Sequence, residues 1–134
     1  MDLAAVMDDL GDALATIPGL RVFPYWADRV QPPAAVVGWP DPLTYDSTMA
    51  RGADQVELPI TVLVGKVDAR SSRALLARYA DGSGEASVKA VVEAHTPSSY
   101  DSVRVTRAEF SVATVSGVEY LAATFYVQLT GTGS

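Results

Sequence analysis

The sequence predicts one α+β domain: a mainly antiparallel β-sheet with helices packed on one face, in the order α-β-β-β-α-α-β-β. Three observations predict it. Long segments alternate apolar and polar residues with the period of two that strands require. Shorter segments space apolar residues three and four apart, as amphipathic helices do. The chain has 134 residues, of which 49% are hydrophobic and 19% charged, which suits a single packed core spanning 1–134.

The first helix follows from Leu3, Val6, Met7, Leu10, Leu14 and Ile17, which form one stripe, with Asp8, Asp9 and Asp12 mostly off it; Pro18-Gly19 ends it. Leu20 to Trp26 alternates as a strand, and Pro24 limits it to a sheet edge. A short second strand runs from Ala34 to Trp39. Pro40 and Pro42 close it, and the segment 40–53, PDPLTYDSTMARGA, carries neither period and many turn formers. A loop of that length inside a small domain more often serves binding than connection.

From Asp54 to Val67, the residues Val56, Leu58, Ile60, Val62 and Val64 give a long strand one continuously apolar face, and Pro59 points to an edge or a bulge. Asp68 is placed to cap a helix with Leu75, Leu76 and Tyr79 on its apolar side, ending at Gly82. Val88, Val91, Val92 and His95 mark a third helix, stopped by Thr96-Pro97. The last third predicts a hairpin turning at Ser116-Gly117. That turn sets Val112 opposite Leu121, Phe110 opposite Ala123 and Ala108 opposite Phe125 on an apolar face. Arg107 with Tyr126, Glu109 with Thr124 and Ala113 with Tyr120 make a mixed face able to meet solvent or another chain. Apolar parity shifts to Val103 and Val105 upstream, so a bulge is expected near 105–107.

Chemistry is sparse. No cysteine is present, which removes disulfides, thiolate nucleophiles and cysteine metal sites. A formal net charge of -6 disfavours tight nucleic-acid binding. No apolar run reaches the ~20 residues of a membrane helix. The start MDLAAVMDDLGD has acids where a signal peptide carries bases, so the chain is expected to be made in the cytosol, with no membrane partner. His95 is the single histidine and is read as a partly buried helix-end residue; no G-x-S-x-G elbow, P-loop or dinucleotide fingerprint occurs. Asp8 and Asp12 lie four apart but lack the further oxygens a hard cation takes, and are read as a solvated acidic face. No catalytic, metal or cofactor site is expected, and the chain is read as non-enzymatic.

Contact residues remain. Trp39, Pro40, Pro42, Leu43, Tyr45, Met49 and Arg51 gather aromatic, apolar and guanidinium groups in or beside the long loop, the types enriched at interfaces. Trp39 and Leu43 either join the contact surface or fold back onto the core. Tyr45, Met49 and Arg51 are the stronger contact candidates.

The helix MDLAAVMDDLGDALATI, the segment LRVFPYW, the loop PDPLTYDSTMARGA, the strand DQVELPITVLVG and the hairpin FSVATVSGVEYLAATFYVQL occur in an order that resembles the tail terminator family of long-tailed, non-contractile, lambda-like bacteriophages. The resemblance spans almost the whole chain. It implies a virion protein that forms a hexameric ring on the tail tube and stops tube polymerisation. The ring's other face would meet the head-tail connector or stopper protein, and DNA would pass through a lumen without specific binding. The partners implied are copies of itself, the tail tube protein and the connector, with no cofactor. Under this resemblance Trp39, Tyr45, Met49 and Arg51 form the subunit or tail-tube interface. Two alternatives stand beside it: another neck or minor tail ring component, or a small-molecule-binding α+β domain, for which the strand faces offer little polar lining.

Overall fold

The structure is a computed structural model and describes residues 2–23, 32–39, 43–44, 53–67, 69–95, 99–115 and 117–132. It contains α1 (Leu3–Leu14), β1 (Arg21–Phe23), β2 (Ala34–Val37), β3 (Leu43–Thr44), β4 (Ala53–Lys66), α2 (Arg70–Ala80), α3 (Val88–Ala94), β5 (Ser102–Val115) and β6 (Val118–Thr132). The sheet runs β1-β2-β4-β6-β5, with β3 also paired to β4. All pairings are antiparallel except β1 with β2, which is parallel. The fold is α+β with a mixed, mainly antiparallel sheet.

Helical core residues join one side of the sheet alone. Val6, Leu10 and Leu14 of α1, Leu76 and Tyr79 of α2 and Val88 and Val92 of α3 pack with Val56, Leu58, Ile60 and Val62 of β4 and with Phe125, Val127 and Leu129 of β6. The even parity of β4 read from the sequence is the parity that lies under the helices. The opposite face carries a smaller cluster of Val36, Leu63 and Ala122, flanked by Phe23, Ala113 and Tyr120.

The C-terminal hairpin has the register expected from its turn: Val112 pairs with Leu121, Phe110 with Ala123 and Ala108 with Phe125. The register shifts between Val105 and Arg107, which leaves Thr106 as the extra residue and keeps Val105 and Ala108 on the same side of the sheet.

Three readings are corrected. The segment 40–53 was read as lacking regular structure, but Leu43 and Thr44 form β3 against Val56 and Gln55, and Ala53 already belongs to β4. Pro59 marks neither an edge strand nor a bulge: β4 is central, and its bulge lies between Leu63 and Gly65. Proline is tolerated there because the β2 ladder ends at Val37 opposite Ile60, and β3 begins only at Val56. Gly38 N–H donates to the Pro59 carbonyl at 2.8 Å, and the return bond is the one a proline cannot donate. A Cβ on Gly38 would lie 2.9 Å from Pro59 Cγ, so the close approach requires glycine. The N-cap of α2 is Ala69 with no side-chain capping bond, not Asp68, whose own placement lies outside the described residues. Beside the exposed Asp8 and Asp12, Asp9 is half-buried, and its carboxylate accepts from Ser99 N–H at 3.1 Å and from the Ser99 hydroxyl, tying α1 to the approach to β5. The Thr96-Pro97 stop of α3 lies outside the described residues.

Next to this tie, Tyr100 is buried, and among the described residues its hydroxyl finds no hydrogen-bond partner. Burial, with the Asp9 carboxylate adding to it, pushes the phenol up to about 12. An unfolded tyrosine ionises near ~10. The folded state thus favours the neutral ring, and the stability this confers is complete below pH ~10 and lost as pH climbs through about 12. Tyr100→Phe removes both the unpaired hydroxyl and the titration. It is expected to raise unfolding free energy at neutral pH by about 1 kcal/mol and to flatten the decline above pH ~10 in urea melts. A loss of stability at neutral pH would mean the hydroxyl is satisfied in solution.

Candidate interaction surface

The three long strands have 14, 14 and 15 residues, or about 46–50 Å of extended chain. The helices α1 and α2, of 12 and 11 residues, reach only about 16–18 Å. No single helix spans the sheet. α1 contacts β1, β2 and α3, α2 contacts β4 and β6, and α3 contacts β5. Glu93 on α3 fixes that last contact, accepting from Val105 N–H at 2.9 Å and from Lys89 Nζ at 2.6 Å. Burial pushes the Glu93 carboxyl up, and the Lys89 and Val105 hydrogen bonds outweigh it, so its pKa lies below the ordinary value.

Beyond Ala108, toward the turn, β5 is left bare. Phe110 is 60% and Val112 51% exposed, although both belong to the helix-facing parity, while their β6 partners Ala123 and Leu121 are buried and half-buried. β5 is the terminal strand of the sheet, so among the described residues nothing pairs with its outer backbone groups. Val67 and Val118 add exposed apolar groups around the turn end.

On the opposite sheet face, the mixed surface is organised around Arg107. Its Nη1 lies 3.1 Å from Glu57 Oε1 and its Nε 3.5 Å from Glu109 Oε1, and the guanidinium stacks 3.8 Å from the Tyr126 ring centroid. Tyr126 Oη donates to Glu109 Oε2 at 3.3 Å. Solvent screens exposed pairs of this kind, so they add little to stability. They mainly fix side-chain positions.

Of the interface residues read from the sequence, Trp39 is described. It is 69% exposed just past β2, so it does not fold back as a core anchor. Tyr45, Met49 and Arg51 lie outside the described residues, as does the side chain of Leu43. Phe110 and Val112 were missed as surface residues because strand parity reports which side a residue faces, not whether a helix reaches it.

Charge is segregated among the helices. α1 presents Asp8 and Asp12 on its exposed side, with Ala4 and Ala15 along the same stripe, and no base occurs before Arg21. α2 presents Arg70, Arg73 and Arg78, all exposed, and contains no acid; none of the three forms a salt bridge among the described residues. His95 caps the C-terminus of α3 beside Ala13 and Thr16, half-buried. No cluster of three or more potential metal ligands occurs among the described residues, and no described helix is long and apolar enough to cross a membrane.

Neither a protein-family model nor a curated protein matches the chain.

Proposed function

We propose that this chain is a non-enzymatic virion subunit that closes into a hexameric ring on a phage tail tube, ends tube growth and presents its other face to the head-tail connector. One observation carries the reading: large apolar side chains are exposed on both flanks of one sheet, Trp39 beside β2 and Phe110 with Val112 on β5. Two unlike exposed regions in opposite halves of the sheet are what a head-to-tail ring needs, whereas a lone copy gains nothing from wetting them. The order of elements supports the same reading through the family it resembles. The net charge of -6, repeated around a ring, gives a lumen that repels a phosphate backbone and lets DNA pass without sticking.

The test is tube length. Tail tube protein of the same virion, polymerising with this protein present, is expected to stop at short, capped tubes with a ring visible at one end. Replacing Tyr45, Met49 and Arg51 together by alanine is expected to leave the circular dichroism unchanged and to impair ring closure or capping. Tubes that lengthen normally beside the wild-type protein would reject the function; capping by the triple variant would reject the role given to the loop.

A further inference from the structure

The ring reading leaves open which surfaces meet. A shallow groove beside the β5 bulge is lined by Ala80, Lys89, Arg104, Ala108 and Phe125. Arg73 and Ala77 stand two turns and one turn before Ala80 on the same stripe of α2, and both are exposed. Phe110 and Val112 lie further along β5 on the same sheet face as Ala108, and Arg70 and Arg73 lie further along α2 from Ala80.

We infer that a second copy of this chain occupies this groove, seated head to tail, with its α1 side and β2 flank against α2 and the open edge of β5. This deepens the ring reading and rests on it. The occupant must supply acid for Arg70 and Arg73, small side chains for close approach and an apolar group for Phe110. The exposed stripe Ala4, Asp8, Asp12 and Ala15 supplies the first two, and Trp39 on the same flank supplies the third. A two-fold arrangement of α2 against α2 would instead bring like-charged arginines together, with no acid on either helix to separate them. Charge thus favours the heterologous contact, the kind that closes into rings.

The absence of native cysteine gives a clean test. Val112→Cys, Asp12→Cys and the double variant, all at exposed positions, are treated at high protein concentration with a short bis-maleimide and run on denaturing gels. The expected result is monomer for each single variant and a ladder of linked species for the double variant. Adding Arg73→Glu to the double variant is expected to cut the ladder by about ten-fold. Dimers from Val112→Cys alone would show a two-fold contact and overturn the inference, as would the absence of any ladder or a ladder that Arg73→Glu strengthens. The tube assay separates the two levels: a ladder with tubes that keep lengthening rejects capping and keeps the contact, and capping without a ladder does the reverse.

Discussion

Leu10→Ala is expected to lower unfolding free energy by roughly 3 kcal/mol, a large part of the 5–15 kcal/mol that holds a domain of this size. Leu10 is fully buried, midway along α1, and belongs to the main cluster with Val37, Val88 and Val92. The cost has two parts. The lost methyl groups forfeit their transfer out of water, and the cavity is hard to close because the surrounding residues are held by the strands below and by α3 beside. The Asp9 tie to Ser99 sits one residue away and further restrains α1 from settling inward. Urea unfolding followed by circular dichroism should show a lower midpoint with an unchanged slope. A loss under about 1 kcal/mol would mean α1 is not docked as described. Because the exposed side of the same helix carries Asp8 and Asp12, the proposed head-to-tail contact predicts that loosening α1 also weakens cross-linking between copies.

Gly65→Ala is expected to cost about 3 kcal/mol, from two separable sources. Gly65 has φ +155°, a region L side chains rarely adopt, and it follows the bulge where β4 shifts register against β6. A Cβ there would also lie 2.5 Å from Ser72 Oγ, with Ser72 buried near the start of α2. Truncating the neighbour separates the two. In Ser72→Ala the hydroxyl is gone and the remaining Cβ would be 3.6 Å away, an ordinary contact. The double variant is therefore expected to be more stable than the sum of the single effects predicts, by about 1 kcal/mol, while the backbone strain stays. Strict additivity would show that Ser72 moves aside freely. The position matters because the turn from β4 into α2 sets where α2 lies, and hence which part of β5 it leaves uncovered.

The hairpin shows why some of this was legible. Its turn residues and the alternation on either side set the register, and the parity switch between Val105 and Ala108 located the bulge, because both signals are local. The stripes of α1 and α3 were legible for the same reason. Pro59 was misread because a proline excludes a donated bond, and whether a neighbour needs that bond depends on where two other strands stop. The exposed apolar surface was half legible: Trp39 stood out by type and position, whereas Phe110 and Val112 looked like core.

The sequence by itself determined the α+β class, one apolar face per long strand, the helix stripes and the hairpin register, since each follows from side-chain periodicity and turn chemistry within a few residues. Only the tertiary structure decided the parallel pairing of β1 with β2, the central place of β4 and the exposure of β5 beyond the helices. Those depend on which distant segments meet and how far each element reaches: helices rise about 1.5 Å per residue and strands about 3.3 Å, so a short helical layer leaves part of a long sheet uncovered.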